Sequence, residues 1–452
     1  MAGGKLFGIA RDNLLNFLDY KNRSEDLRTD YRSSISQEGI TGNTVNTIDI
    51  SAIDQDIRDY FEEMVHIRRH IHSYPEIGPE QPETITYIRN IFTGMADVTF
   101  IEGDPKAGLV VDIGCNAPGP TIAFRADMDA LEVSETPSDD HVPNRMNFRS
   151  KYENRMHACG HDVHTAILAG FGKIIHGHRG NLKGKIRLLF QPGEEGHGGG
   201  KRMVEAGYLD DVLNVFALHC WPNLSVGQIG FRKGPIFAAL DYFSVTIHGI
   251  GGHGAAPERA SDQILAMSRI INDLQSVITR RISGFEPAVL SIGYVEAGSP
   301  TSRTVIPATA QFKGSVRTFN PATQETIEKE FTTVCNHSAL SVHPECKVDI
   351  DYEHIYPLTV NDPPLSTKVA EVLSTFIEKN NLFTEFEPTL GGEDFSFMAN
   401  KAPGVLFLLG GTVPERLSDK TVFLHHPAFD VDERSMLFGV QAFKSLTIDL
   451  LS

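Results

Sequence analysis

The sequence predicts an α/β protein: a mixed, mainly parallel sheet with helices on both faces, carrying a smaller inserted βαββαβ unit. Three observations predict it. Short apolar segments alternate with helical periods from residue 109 to about 219, as buried parallel strands and their crossovers do. Near residue 240 that rhythm gives way to a strand, helix, strand, strand, helix, strand order. Helix, buried strand and helix then resume after residue 363, so the middle unit interrupts the first domain. At 452 residues the chain is also long enough for two hydrophobic cores.

The elements follow in order. Residues 1–52 are polar and mixed, and are expected to form a weakly structured extension with one short helix at most. Ile53, Ile57, Phe61, Met64, Ile67 and Ile71 recur at three- and four-residue spacing, which predicts an amphipathic helix ending at Ser73-Tyr-Pro75. Strands are expected over 109–113, 122–124, 186–190 and 215–219, with a helix over 162–175. The inserted unit reads as strands 242–248, 289–295, 310–316 and 348–352 with helices 262–281 and 323–339, a split βαβ or ferredoxin-like order. A helix at 365–378, a buried strand at 405–409 and a helix at 433–450 complete the chain. The expected organisation is therefore an extension (1–52), a discontinuous first domain (53–238 and 350–452) and an insert (239–349).

The net charge of −17 argues against nucleic acid or an anionic membrane as the main partner, because both need a positive footprint. No run approaches the roughly 18 apolar residues of a membrane span. Arg11, Asp12 and Asn13 break the N-terminal apolar stretch, so a cytoplasmic location is expected. Five cysteines, widely spaced, form no disulfide framework.

Four clusters point to metal chemistry. The first is His157-Ala-Cys159-Gly-His161-Asp162-Val-His164, where a thiolate and an imidazole in one turn can meet one or two ions. Asp162 serves there either as part of the site or as a helix N-cap. The second is Glu194-Glu195, just past a buried strand, where open α/β sheets place ligands. Adjacent carboxylates suit two-metal hydrolysis, in which one ligates and the other takes a proton from water. His219 ends one core strand and His425 follows another, at the same expected edge of the sheet. This mix of sulfur, nitrogen and oxygen donors fits two divalent ions of the zinc, manganese, cobalt or nickel kind better than magnesium or calcium. Walker, dinucleotide-binding and Gly-x-Ser-x-Gly patterns are missing.

Six motifs then occur in order: Arg125-Ala-Asp-Met-Asp129-Ala-Leu, Met156-His-Ala-Cys-Gly-His-Asp-Val-His-Thr165, Phe190-Gln-Pro-Gly-Glu-Glu-Gly, Gly251-Gly-His-Gly-Ala-Ala-Pro257, Gly391-Gly-Glu-Asp-Phe-Ser-Phe397 and Leu424-His-His-Pro-Ala-Phe-Asp430. From about residue 57 onward the sequence resembles the N-acyl-amino-acid amidohydrolases, the co-catalytic metallopeptidase group of hippurate hydrolases, aminoacylases and indole-acetyl-amino-acid hydrolases. The resemblance implies Cys159, His161, Glu195, His219 and His425 as metal ligands and Glu194 as general base. It implies that His253 polarises the scissile carbonyl, often from a partner subunit, and that the insert is both lid and homodimer surface. It also implies hydrolysis of a small N-acyl amino acid to a carboxylic acid and a free amino acid. A dipeptidase, an aminobenzoyl-glutamate-type hydrolase and a non-catalytic binding protein are the alternatives.

Some positions depart from the family pattern. Thr304 stands where an Asn commonly holds the substrate carboxylate, Glu258 where His is common, Gly254 for a usual Ala, and Gly193 for a usual Ala before the two glutamates. Arg317 is a candidate carboxylate clamp through its planar fork, or a strand-end surface residue.

Overall fold

A computed structural model of the chain describes residues 48–101, 103–412 and 421–452. The expected extension lies outside the described residues up to Thr47.

The first apolar stripe forms a short helix, Gln55–Asp59, and then α1 (Phe61–Ser73), with a break at Tyr60. There follow β1 (Val98–Ile101), β2 (Leu109–Gly114), β3 (Ala117–Asp127), α2 (His161–His178), β4 (Lys183–Gln191), β5 (Val212–Ser225) and β6 (Ile229–Gly230). The middle of the chain supplies β7 (Ala239–His248), β8 (Gly252–His253), α3 (Gln263–Ser276), β9 (Ala288–Ala297), β10 (Val305–Ile306), β11 (Thr309–Thr318), α4 (Pro321–Val342) and β12 (Lys347–Tyr356). The last part adds α5 (Pro363–Leu373), β13 (Leu382–Phe383), β14 (Gly404–Thr412) and α6 (Ser435–Leu451).

One eight-stranded sheet runs in the order β1-β2-β4-β3-β5-β14-β6-β13. Its centre, β4-β3-β5-β14, is parallel, and antiparallel pairs flank it. The central strands are buried on both faces, which is why they read as unbroken apolar runs such as Val405-Leu-Phe-Leu-Leu409. Helices α2 and α6 cover the sheet: Ile167 and Leu218 close on Gly439, where a Cβ would come within 2.8 Å of the Ile167 side chain. A second, four-stranded antiparallel sheet has the order β9-β11-β7-β12. It buries one face against α3 and α4 around Phe243, Ile270, Phe312, Ile327 and Phe331. Strand β12 passes without a break through residue 350. The helix expected to reach residue 281 is α-helical only to Ser276 and closes on a π-turn, Val277–Arg281. No described helix is long and apolar enough to cross a membrane.

Candidate metal centre

Parallel strands bring their C-terminal ends to one edge, and the register decides which side chains meet there. Asp127 pairs with Gln191 across β3 and β4, and Arg125 pairs with Ala217, two residues before His219 on β5. Beyond these ends the chain turns through Glu194-Glu195 and Cys159-Gly160-His161. Gly160 is the N-cap of α2, at φ 91°, a conformation that costs glycine nothing. Of the two readings of Asp162, the helix cap is not realised: the residue lies inside the first turn with its carboxylate paired to Arg68. His425 also holds a left-handed φ of 67°, uncommon outside glycine, and its N–H donates to the Ala158 carbonyl at 2.7 Å.

These turns place the five expected ligands together. Cys159, His161 and His219 form one group whose donor atoms all lie within 4.8 Å, and Cys159, Glu195 and His425 form another. Cys159 belongs to both. The Cys159 Sγ stands 3.5 Å from His219 Nε2, and His425 Nε2 stands 3.1 Å from Glu195 Oε1. Such separations are what two ligands of one ion show, given bond lengths of about 2.0–2.3 Å and tetrahedral angles. Among the buried atoms without a hydrogen-bond partner are His161 Nε2 and Glu195 Oε1, the latter in ion-pair contact with His425 Nε2. Orphaned donors of this kind, facing a thiol and two further imidazoles, fit a divalent cation pair.

The Nδ1 atoms of His161 and His219 are held from behind, which fixes the tautomers of both rings. His161 Nδ1 donates to the Asp129 carbonyl at 2.8 Å, and His219 Nδ1 to the Cys220 carbonyl at 2.8 Å. The Asp129 carboxylate accepts the Glu194 N–H at 3.0 Å and the Glu195 N–H at 2.9 Å, so one residue positions His161 and both glutamates. His164 Nδ1 sits 2.6 Å from Asp127 Oδ1, while its Nε2 accepts the Cys220 N–H. Asp127 itself reaches within 3.5 Å of His161 Nε2. Behind Glu194, the buried Arg125 guanidinium donates to Gln191, Asp127, Glu393 and Asp394.

The environment separates the two adjacent glutamates. Burial, then the carboxylates of Glu393 and Glu195, push the Glu194 carboxyl well above its ordinary range. Burial works in the same sense at Glu195, but His425 and His161 outweigh it and hold that carboxyl down. Burial opposes charge on His161 as well, yet Asp127 and Asp129 lift its pKa to about 10. Burial and then the Glu195 and Glu194 carboxylates raise the Cys159 thiol, so a thiolate there requires compensating positive charge.

The remaining expected residues sit apart. His253 is exposed on β8, paired with Val305, and Thr304 accepts the Gly254 N–H at 2.7 Å beside it. His253 Nδ1 accepts the Ala255 N–H at 3.0 Å, which leaves Nε2 to carry the ring proton. His253 lies outside both donor groups. Arg317 donates to the Leu390 carbonyl at 2.6 Å.

Residues 123–449 match the family described as Peptidase family M20/M25/M40. The chain belongs to peptidase family M20/M25/M40. It is 33% identical over 398 residues to an N-acetyl-L-cysteine deacetylase of Bacillus subtilis, covering 88% of this chain and 90% of that one. It is 34% identical over 392 residues to the IAA-amino acid hydrolase ILR1-like 4 of Arabidopsis thaliana, covering 86% of each. The crystal structure of the YXEP protein of Bacillus subtilis, described as a dinuclear metal binding peptidase from the M20 family, superposes with a TM-score of 0.72 at 30% identity. It covers 87% of this chain and 98% of that one. As an M20 protein of the amidohydrolase and aminoacylase group, the chain is a metal-dependent hydrolase with the expected mixed-sheet fold.

Proposed function

We propose that this M20 hydrolase cleaves the amide bond of N-acyl amino acids, with Cys159, His161, Glu195, His219 and His425 holding two divalent ions and Glu194 as general base. The observation that carries this is the pair of donor groups sharing Cys159, with the buried Glu194 carboxyl beside them, its basicity raised by burial and neighbouring carboxylates. The relatives named above as acting on acetyl-cysteine and on indole-acetyl-amino-acid conjugates share that chemistry, an acyl group amide-linked to an amino acid. The ions, of the zinc, manganese, cobalt or nickel kind, supply Lewis acidity that acidifies water and polarises the carbonyl.

The chain's own groups do the rest. Glu194 accepts a proton from the water as its oxygen bonds to the amide carbon, then delivers it to the departing nitrogen as the C–N bond breaks. Raised basicity suits a carboxylate to the first step, and a held-down neighbour suits Glu195 to ligation. Asp129 fixes both backbones. His253, with its free Nε2–H, donates to the carbonyl oxygen as charge develops there. We assign the insert (239–349) as lid and dimer surface, so that His253 can act from a partner copy. Thr304 and Arg317 are assigned to the substrate carboxylate. Five free cysteines suit the cytoplasm, a reducing compartment.

Metal stoichiometry tests the ligand set. Wild-type protein is expected to hold two ions per chain. His219→Ala and His425→Ala should each weaken one site and Cys159→Ala both, with hydrolysis of acetyl, benzoyl and indole-acetyl amino acids falling in each variant. A Cys159→Ala protein that retains both ions at wild-type affinity contradicts the shared-ligand reading.

A further inference from the structure

We infer that Arg68, on α1, is a positioning residue that clamps together the two ligand-bearing loops of the metal centre. The inference rests on the ligand assignment proposed above. Arg68 is 1% exposed. Its Nε donates to Asp162 Oδ2 at 2.7 Å, and one terminal nitrogen donates to Asp430 Oδ1 at 2.7 Å. The other reaches Glu433 at 3.4 Å, a carboxylate that Arg69 also grips at 2.7 and 2.8 Å. Asp162 is the residue after His161, and Asp430 lies on the segment that follows His425.

Those two loops lie far apart in the sequence, and a backbone hydrogen bond joins them directly, the His425 N–H donating to the Ala158 carbonyl. The buried guanidinium spans the same junction one layer deeper, with a planar fork that addresses carboxylates from separate segments at once. His72, also on α1, completes the layer: its Nδ1 meets Asp162 Oδ2 at 2.8 Å and its Nε2 meets Glu135 at 3.0 Å. Asp162 is thereby held from two directions, and with it the first turn of α2 that presents His161. His425 keeps a strained left-handed backbone that needs such external restraint. Arg68 touches neither ion nor substrate; it acts on the separation of the ligands.

The test is metal affinity rather than turnover. Arg68→Lys retains the charge, but its compact ammonium cannot bridge Asp162 and Asp430. Asp430→Asn weakens only the second arm by removing its charge, and decides the question should Arg68→Lys fail to fold. Arg187→Lys is the matched control: Arg187 is also buried, grips Asp112 at 2.7 and 2.8 Å, and lies on β4 four residues before Gln191. Chelator competition with cobalt or zinc should show dissociation constants raised roughly 10- to 100-fold in Arg68→Lys and Asp430→Asn. The cobalt spectrum should change in both, while Arg187→Lys keeps wild-type affinity and spectrum. Wild-type affinity and spectrum in Arg68→Lys and Asp430→Asn, against a wild type that binds two ions, overturn the clamp alone. A wild-type chain that binds no divalent ion overturns the ligand assignment and the clamp with it.

Discussion

Asp129→Asn should cripple the enzyme without emptying its core. The Asp129 carboxylate spends one oxygen on the Glu194 N–H and the other on the Glu195 N–H. An asparagine keeps the shape but replaces one oxygen with an NH2 that faces a backbone donor, so one of these bonds is lost. Hydrogen bonds to charged acceptors contribute about 1.5–3 kcal/mol, and each 1.36 kcal/mol corresponds to a factor of about 10 in rate. If that stabilisation serves mainly to hold Glu194 in place, kcat/KM should fall roughly 10- to 100-fold. The assay is initial-rate hydrolysis of an acetyl or benzoyl amino acid at saturating metal, with circular dichroism as a check on folding. A folded, metal-loaded Asp129→Asn protein with wild-type kcat/KM would refute the reasoning.

Other perturbations read other parts of the account. Chelation should abolish hydrolysis and lower the melting temperature, because it takes a bound ligand from the native state and leaves His161 Nε2 buried without a hydrogen-bond partner; unchanged melting on complete metal removal would count against the centre. Gly199→Ala should cost most activity, since a Cβ there would lie 1.6 Å from the Pro192 carbonyl oxygen and push on the turn that carries Glu194; kcat/KM reads this. Burial disfavours the His72 imidazolium, but Asp162 and Glu135 outweigh it and raise its pKa to about 9. A raised pKa contributes stability that is complete below about pH 6.5 and is lost as pH climbs through 9. The stability gap between wild type and His72→Gln should therefore shrink by roughly 3 kcal/mol from acid to alkaline pH in urea unfolding. Phe331→Ala, in the core of the four-stranded sheet, should destabilise by about 3–5 kcal/mol, measured the same way.

Much of this was legible in the sequence, for identifiable reasons. Central strands such as 405–409 announce themselves because burial on both faces demands unbroken apolar runs. The proposed site announces itself because Cys159, His161 and Glu194-Glu195 concentrate a thiol, an imidazole and paired carboxylates in short turns. The break at Tyr60 left no trace, because the apolar stripe from Ile53 to Ile71 continues across it. Asp162 looked like a cap because Asp commonly caps helices; the left-handed Gly160 took that role, and Arg68 and His72 claimed the carboxylate. Asp127 and Asp129 stood in a recognised motif without a role. What gives them one is the pairing of β3 with β4 and contacts to Glu194 some 65 residues on, which local spacing cannot express. Arg125 is the extreme case, reaching Asp394 across 269 residues.

The central claim is that Glu194 moves the proton while its neighbours hold the ions. The most direct measurement is the turnover of Glu194→Gln together with its metal content. Glutamine keeps the size of the side chain but cannot accept the water's proton. The account predicts two bound ions, as in wild type, and a kcat reduced by roughly 100- to 10,000-fold. A Glu194→Gln protein that retains both ions and hydrolyses N-acyl amino acids at the wild-type rate would contradict it.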